Sequence, residues 1–238
     1  RGLPTVQGAM MIYKPITGEL SAIIESKLIT EIKTASDSIL GAQLLAKPNS
    51  KILLIIGAGT VAESLVYAYS AAFPDLEKIM IWARRPDQSH KLIHKIKGIN
   101  IKLEAVEDLK SYASIADIIS TATMAHEPIL KGEWIKPGTH IDLIGAFTTD
   151  MREADDTLIS SGSIFVDSRA TTIDHIGELT IPIANGIIKK NDIKGDFYDL
   201  LLSSKTARRS ENEITIFKNG GGAHLDLMIA KYLIDISE

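Results

Sequence analysis

The sequence predicts an α/β protein built around a doubly wound parallel sheet, with a smaller α+β unit beside it. Two observations support this fold class. The apolar run at residues 51–56 ends abruptly at Gly57 and Gly59, and a long segment of helical periodicity follows, which is the order strand, tight turn, helix. From residue 51 onward, strand and helix patterns alternate, and repeated βα units form parallel sheets with helices on both faces.

The residues before this alternation form a separate group of elements. Residues 9–13 and 20–24 have the composition of two strands joined by a turn that contains Pro and Gly, so they predict a hairpin. Thr30 is a candidate N-cap for a helix that reaches about residue 46. The polar, Pro-containing segment 47–50 ends that helix and marks the first predicted domain boundary.

The alternating region supplies the predicted sheet and its helices. Strands are predicted at 51–56, 78–82, 101–105, 117–123, 139–144 and 163–166, with helices at about 61–73, 87–96, 107–114 and 153–161. Beyond these, short helices are predicted at 187–193 and 197–202, a loop at 203–213, a strand at 214–217, a glycine turn at 220–222 and a helix at 223–236.

The glycine turn after the first of these strands predicts a dinucleotide site. Gly57 can adopt the tight turn without a Cβ clash, and Gly59 lets backbone N–H groups approach a pyrophosphate. Ala62 is small enough for close packing of helix on strand, and Thr60 and Val61 lie beside the phosphates at the helix start. Glycine turns also end ordinary strands, but the strand and helix here indicate a Rossmann-type fold. The predicted division is a cofactor domain at 49–213 and a smaller unit formed by 1–48 with 214–238.

The residues after the second strand indicate which cofactor binds. In NAD-specific sites an acidic residue there accepts the ribose 2′-hydroxyl. In this chain Arg84 and Arg85 follow the strand 78–82, and a guanidinium suits a 2′-phosphate. NADP(H) is therefore favoured and NAD(H) stays open, while the alternative is a solvated basic turn before a helix.

Composition excludes several classes of protein. The net charge of −4 argues against a nucleic-acid binder, and with no cysteine there is no disulfide, thiolate metal site or cysteine nucleophile. No apolar run is long enough to span a bilayer, no signal peptide is visible, and the histidines form no metal motif, so a cytoplasmic protein without a metal or membrane partner is expected. Because the sequence opens at Arg1, we expect it to be part of a longer protein.

Several segments together resemble one family. The chain is similar to ornithine cyclodeaminases and mu-crystallins, a family that includes cyclic ketimine reductases and archaeal alanine dehydrogenases. The resemblance is carried, in the family's order, by residues 2–8, 28–36, 56–59, 120–123, 145–153, 165–169 and 216–222. It implies a homodimer, a Rossmann domain between an N-terminal substrate and dimerisation region and a returning C-terminal helix, and a missing first part of the substrate domain before Arg1.

The resemblance also implies two catalytic candidates. Lys33 stands where the family usually has an arginine that pairs with the substrate carboxylate, although alone it is an ordinary solvated helix lysine. Asp150 resembles the acidic residue of the mu-crystallin pattern, and its alternative role is to cap the helix that follows. Phe147 stands where cyclodeaminases carry their acid–base aspartate.

Further residues are expected around the cofactor. Thr121, Ala122 and Thr123 follow a strand that should abut the cofactor, so they are candidates to line its pocket. The resemblance implies that Lys218 and Asn219 belong to the segment that closes over the nicotinamide.

Three functions remain open from the sequence. The favoured one is NADPH-dependent reduction of a cyclic imine carboxylate, giving proline or pipecolate. The others are an ornithine cyclodeaminase that uses bound NAD, which Arg84, Arg85 and Phe147 count against, and a non-catalytic cofactor-binding homologue.

Overall fold

Nine strands and nine helices make up the part of the chain that the computed structural model describes, residues 6–202 and 207–237. The strands are β1 (Ala9–Tyr13), β2 (Leu20–Glu25), β3 (Ile52–Ile56), β4 (Lys78–Trp82), β5 (Lys102–Val106), β6 (Ile118–Thr121), β7 (His140–Leu143), β8 (Ser163–Val166) and β9 (Thr215–Lys218). The helices are α1 (Ser26–Leu45), α2 (Thr60–Ala72), α3 (Pro86–Lys95), α4 (Leu109–Ala113), α5 (Asp156–Ser161), α6 (Arg169–Thr172), α7 (Gly177–Ala184), α8 (Phe197–Leu202) and α9 (Ala223–Asp235). Two 3₁₀ turns lie at Gly132–Trp134 and Lys190–Asp192.

Seven of the strands form one parallel sheet in the order β5-β4-β3-β6-β7-β9-β8. The order reverses between β3 and β6, so their carboxyl ends open a crevice where α/β sheets bind ligands. The predicted Rossmann-type doubly wound sheet is confirmed, and each predicted strand is present with ends displaced by at most a few residues.

The sheet is held by apolar cores on both faces. In β3, Leu54 and Ile56 pack into the core on one face, while Leu53 and Ile55 pack into the other, and all four are fully buried. A strand buried on both faces has a continuous apolar run instead of an alternating one, which is why residues 52–56 were recognisable. Each such side chain contributes about 1.5–3 kcal/mol through burial.

The remaining elements form the smaller unit. β1 and β2 pair antiparallel as a two-stranded sheet, and Ile12 packs with Ile29 of α1 and Ala230 of α9. α9 therefore belongs with the hairpin, but β9 lies inside the large sheet, so the boundary predicted at residue 214 falls one strand too early. The division into two domains otherwise stays a prediction.

The start of α1 and the presence of two helices, α6 and α7, differ from the sequence-based expectation. α1 begins at Ser26 and not at Thr30, whose hydroxyl instead donates to the carbonyl of Ser26 within the helix (2.9 Å). Helices α6 and α7 were not predicted, because α6 is a single turn and α7 contains Pro182, a residue that normally argues against a helix. The matched segment 2–8 and the predicted loop 203–213 extend partly outside the described residues.

None of the helices in the described ranges combines the length and apolar character that spanning a bilayer requires.

Candidate active site

The turn between β3 and α2 has the geometry of an anion site. Gly57 has φ +128°, its N–H donates to the carbonyl of Trp82 (2.8 Å), and a Cβ there would overlap the carbonyl oxygen of Ala122. Gly59 is the N-cap of α2, and a Cβ there would meet nothing within 4 Å. The turn thus needs glycine at 57 for conformation and packing, and leaves Gly59 open to an approaching group.

The start of α2 completes this anion site. Thr60 is exposed and Val61 half-buried, while Ala62 is fully buried against the sheet, as predicted from its size. The first N–H groups of a helix lack intrahelical acceptors, and the aligned peptide dipoles make this end positive. A pyrophosphate fits this end of α2, since both the free N–H groups and the dipole favour it.

Arg84 and Arg85 lie next to the glycine turn. β4 runs parallel to β3 with Trp82 opposite Ile56, so the residues after Trp82 emerge beside Gly57. Both arginines are exposed, and neither side chain forms a hydrogen bond or ion pair with another described residue. The structure therefore brings together the predicted phosphate turn and two guanidinium groups that have no partner in the described part of the chain.

Glu153 organises the ends of β6 and β7. Its carboxylate accepts four hydrogen bonds, from the Thr121 hydroxyl (2.7 Å), the Thr123 N–H and hydroxyl (both 2.8 Å) and the Gly145 N–H (2.6 Å). Ala122 is fixed by its N–H, which donates to Ile56 of β3 (2.8 Å). The three predicted pocket residues are therefore held rigidly, and Thr121 is buried behind the surface that Ala122 and Thr123 partly expose.

A second glutamate lies behind Glu153. Glu178 accepts the backbone N–H groups of Glu153 (2.8 Å) and Ala154 (2.9 Å) and is fully buried. Burial, and after it the charge of Glu153, raises the pKa of Glu178 to about 7. The sequence analysis missed the role of both glutamates. Glu178 lies in no matched segment, and Glu153, the last residue of the matched segment 145–153, was placed in the predicted helix 153–161.

The Lys218 side chain is not available to a cofactor. It is 0% exposed, and its ammonium donates to the carbonyls of Leu143 (2.9 Å), Asn219 (2.7 Å) and Ile144 (3.4 Å). Burial lowers the pKa of Lys218, while surrounding carboxylates, Glu178 first, oppose that shift. The ammonium thus ties β7 to β9. The predicted place of Lys218 in the segment that closes over the nicotinamide stays a prediction. Asn219 is also buried, with its N–H on Leu143 (3.1 Å).

Asp150 lies in an exposed turn after β7. Its side chain is 69% exposed, accepts from the Thr148 hydroxyl (2.6 Å) and lies 3.0 Å from Nδ1 of His126. The hydrogen bond from Thr148 is the main cause that lowers the pKa of Asp150. The alternative capping role is wrong, because Asp155 caps α5 by accepting the N–H of Leu158 (2.8 Å). Its catalytic role stays a prediction, but a low pKa disfavours proton donation.

Lys33 lies on a cavity of ≈ 280 Å³ between α1, α8 and α9. Its ammonium pairs with Asp226 at the start of α9 (2.6 Å). Two buried carboxylates that the sequence analysis did not select, Asp37 and Asp167, line the same cavity. Asp167 accepts the N–H groups of Gly220 (2.8 Å) and Gly221 (2.6 Å), so it fixes the glycine loop that follows β9.

Within the described ranges, His, Asp and Glu side chains form no group of three or more that could hold a metal ion.

Comparison with known proteins places the chain among oxidoreductases. The sequence profile of the ornithine cyclodeaminase/mu-crystallin family matches residues 1–237. A Δ¹-pyrroline-2-carboxylate reductase of Paracoccus denitrificans is 58% identical over 233 residues, which cover 98% of this chain and 74% of that protein. The mouse ketimine reductase mu-crystallin is 32% identical over 98% of this chain and 70% of its own length.

A solved structure has a closely similar fold. The Δ¹-pyrroline-2-carboxylate reductase of Thermococcus litoralis, in complex with NADH and L-proline, superimposes with a TM-score of 0.94 at 31% identity. The match covers 98% of this chain and 72% of that one.

Proposed function

The chain belongs to the ornithine cyclodeaminase/mu-crystallin family, and we propose that it is an NAD(P)H-dependent imine reductase. Its substrates are cyclic 2-carboxylate imines, pyrroline-2-carboxylate or piperideine-2-carboxylate, and its products are proline or pipecolate. The observation that carries the proposal is the 58% identity to a pyrroline-2-carboxylate reductase over nearly the whole chain. The open glycine turn and the cavity at Lys33 supply the geometry that this reaction needs.

The cofactor fits the residues present. Gly57 and Gly59 give a turn without Cβ atoms toward the crevice, and the start of α2 meets the pyrophosphate with free N–H groups. Ala122 and Thr123, held by Ile56 and Glu153, form the wall at the switch point of the sheet. A reduced nicotinamide supplies the hydride for the reaction.

NADPH is the proposed cofactor form. Arg84 and Arg85 are exposed, unpaired with other described residues, and adjacent to the turn where the adenosine ribose of a Rossmann cofactor lies. A 2′-phosphate would receive charge-assisted hydrogen bonds from either guanidinium. The Thermococcus litoralis enzyme was solved with NADH, so the preference has to be measured on this chain.

Lys33 holds the substrate carboxylate in this proposal. Its ammonium has three N–H donors. The ion pair with Asp226 occupies one side of the ammonium and leaves donors for a substrate carboxylate. A lysine fixes a carboxylate as a point charge, without the two-point geometry of arginine, so the ring keeps freedom to rotate unless a second group holds it.

A homodimer is the proposed working form, and the smaller unit supports it; the cytoplasm is the proposed compartment. The hairpin of the smaller unit exposes Met11 (57%), Tyr13 (54%) and Ile23 (63%), an apolar surface typical of an interaction site. Sedimentation of the purified chain measures its mass in solution; a dimer is expected, and a monomer at micromolar concentration would contradict this part of the proposal.

One assay separates the reductase from its rivals. Pyrroline- and piperideine-2-carboxylate are supplied with NADPH or NADH while absorbance at the nicotinamide band is followed. Consumption of reduced cofactor is expected with at least one imine. In parallel, ornithine is supplied with catalytic NAD⁺ and ammonia is measured.

No ammonia is expected, because Phe147 has no group that can transfer a proton. Ammonia release would overturn the reductase in favour of a cyclodeaminase. Cofactor binding with neither reaction would favour a non-catalytic homologue.

A further inference from the structure

A buried acid on α1 has no hydrogen-bond partner among the described residues. Asp37 is 5% exposed, and neither of its carboxyl oxygens has a hydrogen-bond partner within residues 6–202 and 207–237. Buried polar groups are nearly always paired, because leaving one unpaired costs stability. Because an unpaired buried carboxyl group lowers stability, a role in binding or catalysis explains its presence better than a role in folding does.

Asp37 shares a cavity with Lys33. The two residues are four apart on α1, so they lie on the same face, one turn from each other. Both line the ≈ 280 Å³ cavity, whose other walls come from α8 and α9. That volume accommodates a five- or six-membered ring with a carboxylate, and the lining is otherwise largely apolar. Lys33 also borders the glycine loop, since its ammonium lies 3.7 Å from the place of a Cβ on Gly221.

The charges around Asp37 favour its acid form. Burial, followed by the carboxylates of Asp167 and Asp142, raises its pKa well above the ordinary value, while Lys218 and Lys33 act in the opposite direction. His224 and Tyr198 are the remaining titratable groups on the cavity wall. A neutral carboxyl group without an acceptor of its own is a hydrogen-bond donor available to a ligand.

We propose that Asp37 meets the ring nitrogen of the substrate in this cavity while Lys33 holds its carboxylate. This inference rests on the proposed imine reduction. Two groups one helical turn apart then fix both ends of the N–C–carboxylate unit, which supplies the orientation that Lys33 alone lacks.

The proton balance of the step follows from this placement. The O–H bond of Asp37 breaks and its proton forms an N–H bond with the lone pair of the imine nitrogen. A hydride, supplied by the reduced cofactor, forms the C–H bond at ring carbon 2, and the C=N π electrons become the nitrogen lone pair. The imine is reduced, the cofactor is oxidised, and Asp37 is left as a carboxylate that regains a proton when the product leaves.

Asp150 is the competing acid. It is exposed, ionised by its hydrogen bond from Thr148 and paired with His126, whereas Asp37 is buried in the cavity that Lys33 lines. The two assignments therefore predict opposite results. If Asp37 is the acid, Asp37→Asn weakens L-proline binding and Asp150→Asn does not; if Asp150 is the acid, the reverse holds.

The test measures product binding separately from turnover. The wild-type chain, Asp37→Asn, Asp37→Ala and Asp150→Asn are titrated with L-proline by calorimetry, with and without NADPH. Asp174→Asn is the matched control, because Asp174 is an exposed acid paired with Lys190. Both Asp37 variants are expected to bind L-proline about 10- to 100-fold more weakly, as expected for the loss of a charge-assisted hydrogen bond.

Two further readouts separate this role from a structural one. Cyclopentanecarboxylate, which lacks the nitrogen, is expected to bind the wild type and Asp37→Asn equally. Both Asp37 variants are expected to melt no lower than the wild type, because the acid makes no stabilising hydrogen bond. In the imine assay, kcat should fall about 100-fold or more in both.

Each failure has its own meaning. If Asp37→Asn binds L-proline like the wild type, if only Asp150→Asn loses affinity, or if the wild type binds no L-proline in either condition, the assignment of Asp37 is overturned. If L-proline binding depends on Asp37 but no imine is reduced, the cavity assignment stands and the proposed reaction fails.

Discussion

The two halves of the sheet's carboxyl edge are built in different ways. The phosphate half, formed by the ends of β3 and β4 and the start of α2, uses backbone N–H groups and exposed arginines. The substrate half, formed by the ends of β6, β7, β8 and β9 with the cavity on α1, uses buried side chains from distant segments. A backbone site depends on glycine and leaves a local sequence pattern, whereas a side-chain network leaves none.

The largest effect is expected from a substitution in the phosphate half. Gly57→Ala places a Cβ against the Ala122 carbonyl at φ +128°, so the turn must move. We expect cofactor affinity to fall by about 100-fold or more, with a loss of about 2–4 kcal/mol in unfolding free energy. Calorimetry and denaturant unfolding measure the two effects.

Gly59→Ala is the matched control for stability. Its Cβ would meet no atom of the described residues within 4 Å, so the unfolding free energy should stay within about 1 kcal/mol of wild type. Cofactor affinity should still fall, because the methyl group occupies the side from which the pyrophosphate approaches. If both variants lost stability equally, the fold itself would require glycine at both positions, and the two variants would not separate stability from cofactor binding.

The next largest effect concerns the substrate half. Glu153→Gln replaces a carboxylate that accepts four hydrogen bonds by an amide with one oxygen, so donors at Thr123 or Gly145 lose their acceptor. We expect a loss of about 2–4 kcal/mol in unfolding free energy and a higher KM for the cofactor. Glu127→Gln, the same change at an exposed position, should stay within about 0.5 kcal/mol of wild type. An unchanged stability of Glu153→Gln would mean that the network does not support the strand ends.

A smaller effect sharpens the cofactor assignment. Arg84→Ala or Arg85→Ala should weaken NADPH binding by about 1.5–3 kcal/mol, the usual worth of a hydrogen bond to a charged group. NADH affinity should not change, because NADH lacks the 2′-phosphate. Fluorescence titration of both cofactors measures this, and equal affinities of the wild type for NADPH and NADH would contradict the preference.

The smallest effect is a pH dependence of stability from Glu178. Its folded pKa of about 7 lies above the ordinary 4.5, so the folded state binds more protons between these values. The stabilising contribution is fully present below pH 4.5 and is lost as the pH rises through about 7. Between pH 6 and 8 the wild type should lose about 1 kcal/mol more than Glu178→Gln. If the unfolding free energies of the two proteins changed equally between pH 6 and 8, Glu178 would not titrate in this range.

Much of the fold followed from the sequence, and less of the site did. The buried run before Gly57 and the βα alternation predicted the sheet, because burial on both faces leaves continuous apolar strands. Gly57, Gly59 and Arg84 were selected from the sequence because the pattern that points to them is local, and the structure brings them together beside the start of α2.

Glu153, Glu178 and Asp37 were not found, because their roles depend on contacts or cavities formed by distant residues. Lys218 was assigned to the cofactor, but the fold buries its ammonium among carbonyls of β7. The family pattern names a segment and not a side-chain direction, which depends on how distant residues pack around Lys218.

The position of β9 has a consequence for how the protein is made. β9 lies between β7 and β8, and β8 pairs with no other named strand of the described sheet. During synthesis β7 therefore presents an open edge, and β8 stays without its partner, until residues 215–218 have left the ribosome. An exposed strand edge is a template for association with other chains. The nascent chain should accordingly depend on chaperone capture over the interval in which residues 163–214 are made, and a ribosome stalled in that interval should yield a species that a protease digests readily.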